Sequence, residues 1–503
     1  ASSQTRTSQF TYYQGKNSKR GLLKTEVIEP KGASDEKLTT THYYDAFGNK
    51  THATTTGWDG ANTVTRSSAK VLYDAIGRYP IETYQTYPTV VDKLISQINA
   101  RNAYGSVTVL TDTLGKKAYS RYSPMGRKYF SSSDSGSWQK TWLTASSVHC
   151  PSGTAYVAHA SNADGSASQA CHDRIGRPVR KLAKGFDGDW IATDSQFDAI
   201  GRVVRTSQPY QAGRRAAYWA EVTYDLLGRA VLATAPDGST LSTVYDGLNV
   251  SKTNAKDQIK TEHYNVLGQV IQVTDSDSFS MYYQHDSQGN LTSVSDQPAF
   301  SRNNTSVMVY DALGRKTSMD DPAKGAWSYQ YNAFGELINQ TDAAKRTTKF
   351  TYDLLGRKTQ RVDPATGSES KDGQTTTWKY DTQPNGLGQL ASVTLEASYT
   401  YSQTPYYDDF GRAVKTVTAV PGAGVFTQSQ TFDHLGRPWQ QFDASSGKQQ
   451  NEHRGLQTYY NAYGYAEAVT DVRHKDKDGS PKTVYQRILS MDARGKVIQS
   501  QQG

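Results

Sequence analysis

Between its glycines the chain alternates. Segments such as "TVTRSSAKVLYD", "TTTWKYD" and "RAVKTVTAV" set Val, Thr, Tyr or Trp against polar neighbours at every second position. A period of two puts the two sets of side chains on opposite faces of a pleated strand, so these stretches predict half-buried β-strands. A helical solenoid would instead show apolar residues at i, i+3 and i+4. One stretch does: "YPTVVDKLISQINARN" (87–102) places Val91, Leu94, Ile95 and Ile98 at that spacing. It predicts a short helix that plugs or caps the fold, or packs over a sheet edge.

The strands are punctuated by one recurring word: an aromatic residue or His, then Asp, two variable residues, Gly and Arg. Full copies are Tyr73, Asp74, Gly77, Arg78; His172, Asp173, Gly176, Arg177; Phe197, Asp198, Gly201, Arg202; and Tyr224, Asp225, Gly228, Arg229. The others are Tyr310, Asp311, Gly314, Arg315; Tyr352, Asp353, Gly356, Arg357; Tyr407, Asp408, Gly411, Arg412; and Phe432, Asp433, Gly436, Arg437. Looser copies start at Tyr44, Arg101, Thr111, Tyr122, Tyr264, His285, Tyr331, Tyr460 and Met491.

Each unit reads as strand, turn, strand. Asp at the first turn position accepts hydrogen bonds from the N–H groups that follow it, and Gly at the fourth tolerates positive φ. The residue before Gly is bulky and apolar (Ile200, Leu227, Leu313, Phe334, Leu355, Phe410) and is expected to pack against the neighbouring hairpin. Tyr ends one strand and Arg begins the next, so successive hairpins should build a ladder of rings and guanidinium groups, about 0.5–1 kcal/mol per cation–π contact. Asn265, Asn332 and Asn461 replace Asp and keep the acceptor without the charge. That tolerance points to a structural turn rather than to catalysis.

Seventeen such hairpins imply about 34 strands and a sheet roughly 160 Å long at about 4.8 Å per strand. Open sheets of that size curl or split. With 36% hydrophobic residues, mean hydropathy −0.71 and 34 tyrosines, the chain is too polar for a thick two-layer core. The fold class expected is all-β: hairpin repeats in one long coiled sheet, a hollow spiral shell, of which this chain supplies about one turn. Net charge is +8, from 56 basic and 48 acidic residues, with no run of five like charges, so a nucleic-acid-binding arm is not expected. No stretch reaches the roughly 18 apolar residues of a membrane span. The opening "ASSQTRTSQF" shows no leader and runs straight into strand sequence, as expected of a fragment of a longer polypeptide.

Cys150 and Cys171, beside His149 and His172, read as two reduced thiols, with a disulfide or a metal pair as open alternatives. "HKDKDGS" (474–480) and "DSDS" (275–278) lack the full calcium loop and read as solvated turns. Neither catalytic, cofactor-binding nor metal-binding residues are assigned, and no enzyme activity is expected.

The motif resembles the tyrosine-aspartate repeat of the Rhs proteins, which include Rhs polymorphic toxins, the B and C components of Tc toxins, wall-associated proteins and teneurins. The resemblance runs from about Tyr44 to Met491. It implies an entry segment at 1–43 and a repeat shell over 44–503, with insertions near 87–102, 131–170 and 362–378, the last a long external loop. It further implies a secreted or cell-surface protein that encloses and shields a C-terminal toxic effector absent from this chain. The partners implied are the rest of its own polypeptide or a companion toxin subunit, and the encapsulated toxin domain. The competing reading is a cell-surface adhesion module that binds glycans or protein through exposed aromatics. Some relatives carry an aspartyl protease on paired Asp-Pro-x-Gly motifs. Asp321-Pro322 and Asp363-Pro364 have one residue too many before Gly325 and Gly367, and are expected to be turns.

Overall fold

The structure is a computed structural model and describes residues 6–15, 18–300, 304–365, 373–446, 454–472 and 483–503. Those residues contain no α-helix; they form strands joined hairpin after hairpin. The first five strands, Ser8–Tyr12 to Thr63–Ser67, make a sheet of their own. From Lys70–Tyr73 to Val497–Gln502, the strands follow chain order in one antiparallel sheet of 37 strands. The all-β hairpin architecture is therefore as the alternation predicts, with more strands than the motif count supplied.

The motif turns explain this regularity. In the full motifs from Asp173 to Asp433 the Gly N–H donates to the Asp carbonyl and the Asp N–H donates to the Arg carbonyl, as at Gly228 to Asp225 (3.0 Å) and Asp225 to Arg229 (2.9 Å); at Asp74 the N–H donates to Tyr79 instead. The strand register shifts by one residue beside the turn, between Thr223 and Tyr224 for example. Such a turn-plus-bulge closes a hairpin only with a left-handed residue at the bulge. Gly228 supplies it at φ +82.

Three expectations are corrected. Residues 87–102 are not helical: Val90–Arg101 is a twelve-residue strand, paired with Pro80–Tyr87 and with Val107–Asp112. Its register slips at Ile98/Ala100 and Ala100/Arg101. Leu94 to Ile98 are half-buried throughout, so strict alternation is lost and helical spacing arises by accident. Residues 131–170 do not break the rhythm. They lie in the hairpin strands Lys128–Ser133, Trp138–Thr144, Tyr156–Asn162 and Ala167–His172, with Ser133 and Asn162 at the Asp position of two turns. Only the connection after Thr144 is irregular, and there Cys150 and Cys171 are joined by a disulfide rather than free (Cα–Cα 5.7 Å). Of the 362–378 stretch, residues 362–363 and 374–378 lie in strands, Asp363 pairing with Gln374; residues 366–372, where the external loop is expected, lie outside the described residues, like the acidic cluster at 474–480.

Two compact units follow, each assembled from two distant pieces of chain: 1–117 with 280–427, and 118–279 with 428–503. Buried apolar side chains are few and mostly small among the described residues: Ala53, Val157, Cys171, Leu182, Ala192, Ala333, Ile338, Ala391 and Ala468. A single sheet of half-covered faces has no thick interior, so its cohesion must come from contacts between hairpins.

Candidate functional site

The contacts that join hairpins start at the motif carboxylate. Asp225 Oδ1 accepts the N–H groups of Leu227 and Arg229 (both 2.9 Å), and its Oδ2 accepts Nε of Arg229 (2.7 Å). The same three bonds recur at Asp173, Asp198, Asp311, Asp353, Asp408 and Asp433. The N–H of Arg229 and then its guanidinium hold the Asp225 carboxyl below the usual range. At Asp342 the Arg346 side chain does the same.

Pinned by its own Asp, each guanidinium reaches the next hairpin. Arg177 lies over Phe197 (4.8 Å), Arg202 over Tyr224 (4.5 Å), Arg357 over Tyr380 (4.3 Å) and Arg437 over Tyr460 (4.0 Å). Arg315 Nη1 also donates to the carbonyl of Asn332 (2.8 Å), and Arg357 forms a two-pronged ion pair with Asp381 (2.9 and 2.6 Å). The motif tyrosine ties the hairpin back to its predecessor. Tyr224 donates to the carbonyl of Val203, Tyr352 to Leu337, Tyr407 to Leu390 and Tyr460 to Pro438, all at 2.7–2.8 Å. The sequence carried no signal for this bond, because its acceptor is backbone.

A second set of contacts stacks one stretch of sheet on another. In the first unit, turn 332–336 seats against the 59–62 turn and the strand residues that flank it. Asn332 Nδ2 donates to the carbonyl of Asp59 (3.2 Å) and Ala333 N–H to that of Trp58 (2.9 Å). Arg66 grips Glu336 with two bonds (2.7 and 2.9 Å) and lies over Phe334 at 3.8 Å. In the second unit, Asn461 Nδ2 donates to the carbonyl of Phe186 and Tyr465 to that of Lys184 (both 2.8 Å). The loops receive these tips at glycines. A Cβ on Gly165 would collide with the Ala462 carbonyl, and one on Gly188 with the Tyr463 ring. The partners are 270 to 281 residues apart in sequence. Two layers thus lie one on the other within each unit, where the strand count had suggested about one turn in all.

The apolar residues before the motif Gly divide: Phe47 lies beside Gly77 of the next hairpin, Phe334 lies under Arg66 across the seam, and Phe410 is exposed. Leu313, Phe334 and Leu355 are half-buried, whereas Ile200 and Leu227 are exposed.

Two of the remaining candidates, at Asp321 and Asp275, resolve as turns, whereas Asp363 ends a strand and its Gly367 lies outside the described residues. Asp321 Oδ1 accepts the N–H groups of Ala323 and Lys324, and Ser306 donates to Oδ2 (2.6 Å), which holds its carboxyl low. Asp275 caps the N–H groups of Asp277 and Phe279. Among the described residues, no three His, Cys, Asp or Glu side chains are grouped to hold a metal, and no helix is long and apolar enough to cross a membrane. The second unit contains a cleft of about 1290 Å³ whose lining includes Trp142 stacked on His159 (4.9 Å) and Tyr156 stacked on His172 (4.5 Å).

These features define a class: a wall of antiparallel hairpin repeats, laddered from hairpin to hairpin and stacked layer on layer. A stretch of the chain matches the Rhs repeat. The family model described as RHS Repeat matches residues 331–369, which hold the Asn332 and Asp353 turns. Among solved structures, the TcdB2-TccC3 complex without its hypervariable C-terminal region superposes with a TM-score of 0.71 at 11% identity, over 98% of this chain and 36% of that one. A Photorhabdus luminescens Tc holotoxin pore gives 0.68 at 11% identity with the same coverages. Complete TcdB2-TccC3 gives 0.58 at 13% identity, over 98% of this chain and 31% of that one. The chain thus spans about a third of the length of these structures and shares their fold. No curated protein matches its sequence.

Proposed function

We propose that this chain is a wall segment of an Rhs/Tc-type encapsulation shell that encloses a toxic effector, and that it acts as a scaffold without catalysis of its own. The observation that carries the reading is the stacking of motif turns on glycine loops within each unit, which converts a one-layer sheet into a continuous wall. Its motif residues, from Tyr73 to Arg437, serve as structural joints: every full-motif carboxylate from Asp173 to Asp433 is spent on its own turn and its own arginine. Fold likeness over 98% of the chain to complexes of TcdB2 with TccC3 supports the same reading. The Cys150–Cys171 disulfide suits a protein working in an oxidising, extracellular setting. The rest of the polypeptide or a companion subunit would complete the wall, and an effector domain would be the cargo. The test is electron microscopy of the complete assembly combined with protease digestion. An internal density gap and an effector that resists digestion until the wall is denatured are expected. A solid particle, or an effector digested as fast as when free, would overturn the proposal.

A second reading rests on the aromatic-lined cleft: a surface module binding glycans on Trp142 and Tyr156. Glycan binding lost in Trp142→Ala would favour it. No binding by the wild-type chain would dismiss it.

A further inference from the structure

The chain has two generations of motif turns, and only one is covered. In the second unit the later turns, 433–437 and 461–465, seat on loops 133–137, 162–166 and 184–188. A Cβ on Gly136 would lie 2.7 Å from the His434 carbonyl, and Asn461 and Tyr465 hydrogen-bond into the Lys184–Phe186 backbone. The earlier turns of the same unit lie at the motif ends of their hairpins and leave the apolar residues at their tips exposed. Ile175, Ile200, Leu226, Leu227, Val266 and Leu267 range from 72% exposed at Leu267 to fully exposed at Leu226. Four consecutive motif turns thus set an apolar stripe along one sheet edge. A row of this kind is uncommon on a finished surface, where large apolar side chains are scattered.

We infer that this stripe is a docking edge for one occupant: another layer of hairpin sheet belonging to the completed shell, which presents its glycine-containing turns or loops. The inference rests on the shell reading above. Three observations select the occupant. First, the chain already makes this joint with itself in both units, the turns at one end of later hairpins seating on turns or loops of earlier ones, as Asn461 and Tyr465 do on 184–186 and Phe410 does beside Leu114 and Lys116. Second, the structures it resembles are nearly three times as long, so a wall of this fold has further layers to offer. Third, the charges match. The open turns carry Arg174, Arg177, Arg202 and Arg229 against three carboxylates. Three consecutive loops at the other edge of these hairpins (235–239, 254–258, 275–279) are acidic, with Asp237, Asp257, Asp275 and Asp277 against Lys256, while the connection 208–218 before them carries Arg214 and Arg215. The three loops include Gly238, in the left-handed region with nothing within 4 Å of its Cβ position, as a seat for a turn requires.

The test uses cysteine labelling, since the two native cysteines are bonded to each other. Leu226→Cys and Leu267→Cys are made in the complete assembly and in this chain alone, and reacted with a maleimide carrying a photo-crosslinker. The expected result is rapid labelling in the chain alone and labelling slowed by at least about tenfold in the assembly. Crosslinks formed on a tether attached before assembly should land on a glycine-containing turn or loop of another wall layer. Equal labelling in both preparations would overturn the inference, as would protection of the chain alone at high concentration, which would make a second copy the occupant. Crosslinks to the effector would overturn it too. Electron microscopy of the same assembly separates the two proposals: an internal gap with freely labelled cysteines leaves the shell reading standing and removes only this one.

Discussion

Among the turns where Asn stands for Asp, the structure divides Asn265, Asn332 and Asn461 into two kinds. At Asn265, Oδ1 caps the turn and Nδ2 meets only Gln269. At Asn332 and Asn461, Oδ1 caps the turn in the same way while Nδ2 donates across the seam to a backbone carbonyl, which a carboxylate cannot do. Asn461→Asp should therefore oppose two oxygens and cost about 1–3 kcal/mol, whereas Asn265→Asp should be close to neutral. Hydrogen exchange at the amides of 461–465 and 265–269 checks both, and equal effects would refute the distinction. At Asp353 capping can be separated from the ion pair with Arg357: Asp353→Asn should keep amide protection at Leu355 and Arg357, and Asp353→Ala should lose it. The motif carboxylates also set an acid limit. Asp225 and Asp342 have folded pKa values below their unfolded value. Their contribution is thus present above about pH 4 and lost as pH falls through the folded pKa. Urea midpoints followed by tryptophan fluorescence should be level from about pH 7 to 5 and lower at about pH 3. A midpoint unchanged at the acid end would contradict this.

At the scale of the element, the hairpins were legible because their turn needs a particular residue at each position. Asp, Gly and Arg each answer a local demand within five residues, so the pattern survives in sequence. What escaped reading were turns that meet the demand with other atoms. Ser133 and Asn162 hold the Asp position in "SDSGS" and "NADGS", where Gly136 and Gly165 were the surviving signal. The seams were illegible for a different reason. Their acceptors are carbonyls, which every residue has, and their partners lie hundreds of positions away. The glycines that receive them look like any turn glycine. Gly188→Ala should separate them from the rest, because it adds a clash with Tyr463 to a φ of +83. Loss of protection at 461–465 is expected there, and far less at the same sites for Gly238→Ala, which meets only the backbone strain. The disulfide is also an element-scale device. It ties the irregular 145–155 connection to the strand Ala167–His172, beside Leu182 and Ala192. Reduction, or Cys150→Ser with Cys171→Ser, should cost up to about 3 kcal/mol on the chain-entropy estimate and expose that connection to protease. A digestion pattern identical to the oxidised protein would show the staple to be dispensable.

At the scale of the molecule, the two kinds of contact differ in reach. The ladder joins hairpins about 25 residues apart or fewer, while the seams join residues 270 or more apart. Folding by local contacts is fast and folding by distant ones slow, because loop closure precedes any reward. Refolding from denaturant should thus show early strand formation by circular dichroism, followed by a much slower phase in which amides at 332–336 and 461–465 become protected. Arg66→Ala, which removes the two-bond grip on Glu336, should slow or abolish that late phase for the first unit and leave the early one unchanged. A single concerted phase would argue against this order.

The seam spacing has a consequence for how such a chain can change over generations. A ladder tolerates one more rung anywhere, since each rung only needs neighbours of its own kind. A hairpin added between Arg66 and Glu336, however, would move every later turn one place along its row of glycines. Asn332, Phe334 and Glu336 would then face loops built for another turn. Lengthening of such a protein should thus come by additions at its ends, or by paired changes a full layer apart. Its seams act as a counting device that fixes the number of hairpins per layer.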